Sequence, residues 1–435
     1  MIVVFLLLMA LIAAAPVIAF FDASIIDALV AASTAAGVAI VARALPSEEA
    51  GYISRLLRPI AVGLALPALW MMLQIVPMPA SSRFSHPIWA SAQAALAMPL
   101  TGSISVDPGL TLLALARYVS LAAVLFVAAA VTIDRRRAEW TLHCLTCITA
   151  LMAALLILQS LAGLPLAGNS GARASIVLQG GASLGVLVAA GGMVRAFERH
   201  GTARLKAEAS LSRFAKDFGV GLLAFVLCGL SLALGSGRQE FFTATCGIGI
   251  MALVVTARRL GVGLWASAAL AALAILIVLA LAVRDNGRGD LRLRFANAPA
   301  SLVSDADHLI GDTGWAGSGA GSFAALSPIY RDIDDPAGEA APTSAAEISI
   351  EMGAPALWAI IFMMLALAGV LLRGAVRRGR DSFYPAVAMS AALVLLLEAF
   401  CDASALSTAI GLIAAPILGL GLAQSLSRSV RQQPT

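Results

Sequence analysis

The stretch AALAILIVLALAVRDNGRGD, residues 271–290, contains the boundary that decides how this chain folds. Its first 13 residues are apolar, and a polar segment then begins at Arg284 and continues to Met352. Most of the remaining chain is apolar, since 60% of all residues are hydrophobic, 12% are charged and the mean hydropathy is +0.92. This composition is typical of a polytopic membrane protein, and the polar segment is too long to be a simple connection between spans.

Twelve apolar runs are each long enough to cross a hydrocarbon core as a helix, which takes about 20 residues. They are rich in Leu, Ala, Val and Ile and lack the alternating pattern of a transmembrane β-barrel. The sequence therefore predicts an all-α, polytopic transmembrane helix bundle of about 12 spans with one large loop or lid. The predicted spans are residues 2–21, 24–42, 59–78, 109–131, 141–166, 176–194, 218–234, 242–257, 261–283, 353–372, 384–402 and 404–424.

Three regions follow from these spans. Residues 1–283 hold the first nine spans, residues 284–352 form the large loop, and residues 353–435 hold the last three spans and a tail. The segment after Met1 has no basic region and no clear cleavage site, so it is predicted to be the first membrane helix.

The basic residues predict the orientation of the spans. When successive connections are assigned alternately to the two sides, one side receives 20 of the 29 Lys and Arg residues and the other receives eight, while Arg117 lies inside a span. Cytoplasmic connections carry the excess of Lys and Arg, so we expect both termini in the cytoplasm and residues 284–352 on the opposite side. The net charge of +4 follows from this asymmetry, and no nucleic-acid partner is predicted.

Metal and cofactor motifs are not found in the sequence. The five cysteines lie inside predicted spans and the four histidines are scattered. Cys144 and Cys147 form a CxxC pair, which without a second pair is more often part of an apolar helix than a metal or redox site. There is no HExxH motif, Walker A motif or dinucleotide-binding fingerprint. We therefore expect no metal site and no cofactor.

Arginines on the loop side are candidate substrate-binding residues. Arg173, Arg238, Arg292 and Arg294 are predicted to lie there, against the usual bias of membrane insertion. Any single one of them can snorkel or cap a helix, but together they offer guanidinium groups that bind phosphate oxygens in pairs. Gly235-Ser236-Gly237 allows a tight turn before Arg238, and the N-terminus of the following helix would face the same anion.

Glu347 and Glu351 are the candidate catalytic residues. Residues 341–353 are predicted to form a helix that leads into the tenth span, and two glutamates four residues apart share one face of it. That face is either a solvated helix surface or the position of a general base for an acceptor hydroxyl. The glycine-rich stretch 311–323 lacks the spacing of a nucleotide-binding loop and is more often a turn.

Three ionisable residues lie inside predicted spans: Arg117, Glu398 and Asp402. Such residues cost free energy in lipid and usually face a partner or a cavity. Glu398 and Asp402 are four residues apart near the loop-side end of the eleventh span. They either pair with an arginine on that side or lie at the membrane interface, and the pattern favours a structural role.

Four short patterns follow one another along the chain. They are His86-Pro87-Ile88-Trp89 with Ser103 to Pro108, Leu232 to Arg238, Arg292 to Phe295 with Gly317 to Phe323 and Pro328-Ile329-Tyr330-Arg331, and Glu351-Met352-Gly353. In order and placement they resemble the O-antigen ligase and polysaccharide polymerase family of bacterial inner membranes. Together with the topology, the resemblance covers most of the chain.

The resemblance implies a GT-C-like, metal-independent glycosyltransferase of the inner membrane. Such an enzyme takes a glycan from an undecaprenyl-pyrophosphate carrier at the periplasmic face and passes it to a lipid acceptor or to another lipid-linked glycan. On this chain it implies that Arg238 and Arg292 or Arg294 bind the diphosphate, and its motif adds Tyr330 and Arg331 as substrate contacts. Membrane lipids and other polysaccharide-assembly proteins are the further partners expected.

One departure from the family concerns the base. The family commonly has a histidine shortly before the Glu-x-Gly motif, whereas residues 341–346 of this chain contain none. Glu347, Glu351 or an aspartate of the loop then replaces it, or the chain has different chemistry or none. Two other functions stay open: a flippase or exporter of lipid-linked glycan, and a non-catalytic partner in a polysaccharide-assembly complex.

Overall fold

A computed structural model describes residues 1–21, 24–44, 47–162, 170–205, 211–235, 238–260, 290–330, 340–377 and 381–426 of the chain. The protein is an all-α helix bundle, as the apolar runs predict. A two-residue strand pair, β1 (Met78–Pro79) with β2 (Thr101–Gly102), joins antiparallel beside it. Leu-, Ala- and Val-rich runs form helices here because every backbone amide is then satisfied without water.

Eleven of the twelve predicted spans fall on helices, and the ninth, residues 261–283, lies outside the described residues. Within the described part of the chain, nine helices are long and apolar enough to cross a membrane, which makes this a multi-pass membrane protein. The helices of the bundle are α1 (Ile2–Ile18), α2 (Ser24–Ala44), α3 (Ser47–Ile75), α5 (Pro108–Val131), α6 (Arg135–Ala162), α7 (Ser170–Leu205), α8 (Leu211–Leu234), α9 (Arg238–Arg259), α13 (Ala354–Arg377), α14 (Phe383–Glu398) and α15 (Thr408–Leu426). Of these, α1 and α14 are shorter, with 17 and 16 residues.

The centre of the bundle is formed by α7 and α15. In their most apolar windows, 83% of the α7 residues and 89% of the α15 residues are buried, against 17% for α2 and for α3. Helices α2 and α3 therefore present most of their surface outward, as expected of helices that face lipid. Close packing at the centre depends on small residues, since a Cβ added to Gly419 of α15 would lie 2.5 Å from the Leu125 carbonyl oxygen of α5.

Four shorter α-helices of the described part of the chain lie outside the spans. They are α4 (Pro87–Leu96), α10 (Ala300–Asp312), α11 (Phe323–Tyr330) and α12 (Ser344–Met352). The last three belong to the large polar segment, so its described part is largely helical. The predicted helix at 341–353 is observed as α12, which begins after Thr343, whose Oγ1 accepts a hydrogen bond from the Ala346 amide at 3.0 Å.

The two ends of the bundle carry different residues. At one end, here called the arginine-rich end, the start of α6 meets the C-terminal part of α7 and the start of α14, for example through Arg135 and Asp381. At the other, here called the loop end, the large segment is fastened to α14 and its C-terminus. The Asn297 amide donates to the Cys401 carbonyl and the Ser344 amide donates to the Asp402 carbonyl, both at 2.8 Å.

Candidate functional site

A cavity at the loop end is lined by two arginines from different helices. Arg117 comes from the third turn of α5, and Arg173 comes from the first turn of α7. Asp27 of α2 and Thr408 of α15 supply polar groups to the same lining, and the end of α1 supplies apolar side chains. The cavity therefore collects residues from five helices that are far apart in the sequence.

Three helices begin at this cavity. Asp27, Arg173 and Thr408 each lie in the first turn of their helices, α2, α7 and α15. The first amides of a helix have no partner within it, and the helix dipole places partial positive charge at that end. Two guanidinium groups make this cavity suited to an anion such as a phosphate, and the dipoles of the helices that begin beside it act in the same direction.

The Asp27 carboxylate is held in a defined place within the cavity. The Thr408 hydroxyl donates a hydrogen bond to its Oδ1 at 2.7 Å, which joins the starts of α2 and α15. A carboxylate in the same cavity as two arginines can balance part of their charge, and it can accept a proton from a hydroxyl that binds nearby.

Arg117 also lies within electrostatic range of the large loop. Burial, together with the negative charge of Glu347, raises the pKa of Glu351 to about 8, and the positive charge of Arg117 opposes this rise. The amides of Phe323, at 3.1 Å, and of Gly321 donate to the Glu351 carboxyl. Arg117 is thus within electrostatic range of Glu351, one of the two glutamates that the sequence predicts as catalytic.

The glycine-rich stretch of the loop is packed against α12 and α13 by its backbone. Gly317 and Gly353 have φ values of +79° and +85°, which favour glycine. A Cβ on Gly317 would lie 2.3 Å from the Glu351 carbonyl oxygen. Gln74 of α3 donates to the carbonyl oxygens of Ala316, at 3.0 Å, and Glu351, at 2.9 Å. These glycines therefore serve close packing.

Glu351 and Glu347 differ in their surroundings. Glu351 is 7% exposed and its carboxyl group contacts two backbone amides of the glycine-rich stretch, so it stabilises the loop. Glu347 is half-buried on the same short helix. A catalytic role for either residue stays a prediction, and the accessible position of Glu347 suits a base better than the interior position of Glu351 does.

The other predicted arginines lie elsewhere at the loop end. Arg292 accepts a hydrogen bond on its backbone oxygen from the Thr343 hydroxyl at 2.7 Å, and its side chain is 3.8 Å from the Asp290 carboxylate. Arg294 is half-buried two residues further on. Neither is among the residues that line the described cavity. Of the predicted arginines whose side chains the structure describes, Arg173 is the one that lines the cavity.

The structure describes only some of the remaining residues that are predicted to contact the substrate. Arg238 is the first residue of α9, and its side chain lies outside what the structure describes. Arg331 also lies outside the described residues. The Tyr330 hydroxyl donates to the Asp312 Oδ2 at 3.0 Å, which joins the ends of α10 and α11. Their roles in substrate binding stay predictions.

Sequence reasoning did not assign Arg117, Asp27 and Thr408 to a site. For Arg117 a signal was present, since an arginine inside an apolar span usually faces a cavity or a partner. For Asp27 and Thr408 the signal is weak, because an acidic residue or threonine in a first helical turn is common without any ligand.

Comparison with known proteins gives no match, either to protein-family models or to curated proteins. The assignment of a function therefore rests on the residues of the cavity and of the loop beside it.

Proposed function

We propose that this protein transfers or polymerises undecaprenyl-pyrophosphate-linked glycans in O-antigen or exopolysaccharide biosynthesis. The reaction takes place at the periplasmic face of the bacterial inner membrane, with both termini of the chain in the cytoplasm. The observation that carries the proposal is that Arg117 and Arg173 share one cavity at the loop end of a membrane bundle. Arg117 of that cavity also acts electrostatically on Glu351 of the large loop.

The chemistry of the leaving group explains the need for two arginines. When the glycan C1–O bond breaks, its electron pair goes to the pyrophosphate oxygen, and negative charge builds up there. Guanidinium groups aimed at that oxygen stabilise the transition state more than the ground state. A cavity at the ends of the spans also suits a polyprenyl carrier, whose chain lies in lipid while its headgroup lies at the membrane surface.

The acceptor hydroxyl must lose its proton as its oxygen bonds to C1. We assign this proton to the Glu347 carboxylate, because the Glu351 carboxyl group is already bound to the backbone of the loop. Asp27 is the competing candidate, since it lies inside the cavity and is positioned by Thr408. Comparing Glu347→Gln with Asp27→Asn decides between them, because the variant that lacks the base loses transfer while it keeps carrier binding.

The proposal is tested with purified protein in nanodiscs, a lipid-linked glycan and an acceptor. We expect Arg117→Ala and Arg173→Ala to lower the rate of glycan transfer by about 100-fold or more. Arg136→Ala is the matched control, because Arg136 is exposed at the arginine-rich end and should transfer at the wild-type rate. Thermal unfolding of each variant separates a lost contact from a lost fold.

The possible outcomes separate the three functions. An enzyme changes the glycan product, a flippase changes only the leaflet in which the lipid-linked glycan resides, and a non-catalytic partner changes neither. Wild-type transfer rates in both Arg117→Ala and Arg173→Ala would overturn the assignment of the cavity. Leaflet movement without product would favour the exporter.

A further inference from the structure

A cluster of three carboxyl groups is buried at the loop end, among residues to which the proposed function gives no role. Glu398 is the last residue of α14, Asp402 follows it in the next turn, and Glu240 lies in the first turn of α9. These residues are 0%, 3% and 1% exposed. Burial of this depth is rare for carboxylates unless they are paired with a cation or neutralised.

One oxygen of each carboxyl group has a hydrogen-bond donor. The Ser183 hydroxyl of α7 donates to Glu398 Oε1, the Asn297 side-chain amide donates to Glu240 Oε1 at 3.1 Å, and the Ser404 backbone amide donates to Asp402 Oδ1 at 2.6 Å. These donors come from three separate parts of the chain: α7, the segment 290–297 of the large loop, and the turn after α14.

The second oxygen of each group lacks such a donor. Within the described residues, Glu398 Oε2, Asp402 Oδ2 and Glu240 Oε2 are buried and have no hydrogen-bond partner. The Ser404 hydroxyl is also fully buried and lies close to the Asp402 carboxyl group. Three carboxyl oxygens without a donor call for something that supplies positive charge or hydrogen-bond donors.

The described surroundings supply no cation. The charged groups that act on Glu398 and Asp402 are one another and Glu240. The three carboxyl groups and the Cys246 thiol of α9 lie within electrostatic range of Cys401. Within the described part of the chain no group of His, Cys, Asp and Glu residues has the arrangement of a metal site. Three negative charges in such an interior cost free energy, and binding of a proton lowers that cost.

We propose that Glu240, Glu398 and Asp402 form a buried proton-binding site that fastens the large loop to the helix bundle. A proton on one carboxyl group supplies the donor that the unpaired oxygen of its neighbour lacks, and it removes one negative charge from the cluster. The site does not depend on glycan transfer, and it is separate from the cavity of Arg117 and Arg173.

The cluster lies where two parts of the large loop are hydrogen-bonded to the helix bundle. Asn297 bonds to Glu240 through its side chain and to the Cys401 carbonyl through its backbone amide. The Ser344 amide and hydroxyl, at the start of α12, both donate to the Asp402 carbonyl oxygen, at 2.8 and 3.0 Å. Loss of the protons leaves like charges side by side in this place. The stabilisation is therefore complete at low pH and is lost as the pH rises.

Hydrogen–deuterium exchange of the full chain in nanodiscs tests this proposal. Exchange of the backbone amides in residues 290–297 and at the start of α12 is measured between pH 6 and pH 9. Each rate is corrected for the pH dependence of the intrinsic chemical exchange. All measurements use a chain that carries Glu351→Gln, here called the background, so that titration of Glu351 in the same loop does not contribute to the pH dependence. We expect protection in this background to fall by about tenfold or more as the pH rises. Adding Glu398→Gln and Asp402→Asn, which mimic the protonated groups, should remove most of that change.

A control variant and a replacement variant complete the experiment. Asp307→Asn alters an exposed acid of α10 and should keep the pH dependence of the background. If Glu398→Gln does not fold, Glu240→Gln with Asp402→Asn replaces it. Protection that does not change with pH in the background, or that still changes fully in the Gln and Asn variants, overturns the proposal. Protection that responds to Na⁺ at constant pH overturns the assignment of the ligand as a proton.

Discussion

The two ends of the helix bundle use charge in opposite ways. At the arginine-rich end, arginines and carboxylates are mixed, and Glu139 alone contacts three arginines from α6 and α7: Arg135 at 3.5 Å, Arg195 at 3.2 Å and Arg199 at a shorter distance. At the loop end, a buried cluster of three carboxyl groups lies apart from a cavity in which two arginines, Arg117 and Arg173, meet Asp27.

This difference separates ion pairs that join helices from groups that gather in a cavity or in a buried cluster. Paired charges inside a protein satisfy each other, and their contribution is to fix the packing of the helices that carry them. Separated charges of one sign are costly to hold in the folded chain, and an external partner lowers that cost. The comparison predicts that substitutions at the arginine-rich end change stability, while substitutions in the arginine cavity change ligand binding.

The largest expected effect on stability is at the arginine-rich end. Glu139→Gln leaves Arg195, whose side chain is 7% exposed, without its carboxylate, and a buried charge that loses its partner costs about 3 kcal/mol or more. Thermal unfolding in detergent micelles should show a clear fall in Tm. The control Asp134→Asn removes the exposed partner of Arg137 and should change Tm little. A wild-type Tm for Glu139→Gln would contradict the structural role of this end.

The next effect tests the loop end, where packing rather than charge pairing holds the glycine-rich stretch. Gly353→Ala places a Cβ 2.0 Å from the Trp315 carbonyl oxygen at a residue with φ of +85°. We expect a loss of about 2 kcal/mol in the free energy of unfolding. Gly369→Ala is the matched control, because this glycine in α13 has no atom within 4 Å of an added Cβ. Equal Tm values for the two variants would show that the loop is not packed as described.

The smallest expected effect is a change in how the stability of the protein depends on pH. Burial, helped by the charge of Glu347, raises the pKa of Glu351 from 4.5 to about 8 in the folded protein. Its contribution to stability is therefore complete below about pH 4.5 and is lost as the pH rises through about 8. Glu351→Gln, which mimics the protonated group, should narrow the difference in Tm between pH 5 and pH 9. A variant with the same pH dependence as the wild type would mean that Glu351 does not titrate in this range.

Part of the site was accessible from sequence. The outward arginine Arg173 and the intramembrane charges of Arg117, Glu398 and Asp402 were recognisable, because each contradicts the usual composition of its segment. Their grouping was not accessible. Arg117 is brought to Arg173 by the packing of α5 near α7, and Glu240 is brought to Glu398 across some 160 positions of the chain. A single sequence does not show which distant residues come into contact.

The sequence by itself determined that this is an all-α, multi-pass membrane protein with a large polar loop. It did so because a hydrocarbon core demands long apolar helices, and that demand acts on each segment separately. The tertiary structure alone decided that the glycine-rich stretch packs against α12 and α13 and that Glu351 is interior. It also decided that Arg117 and Arg173 share a cavity while three buried carboxyl groups cluster elsewhere at the loop end. These features arise from contacts between distant helices, whose energies depend on which faces meet.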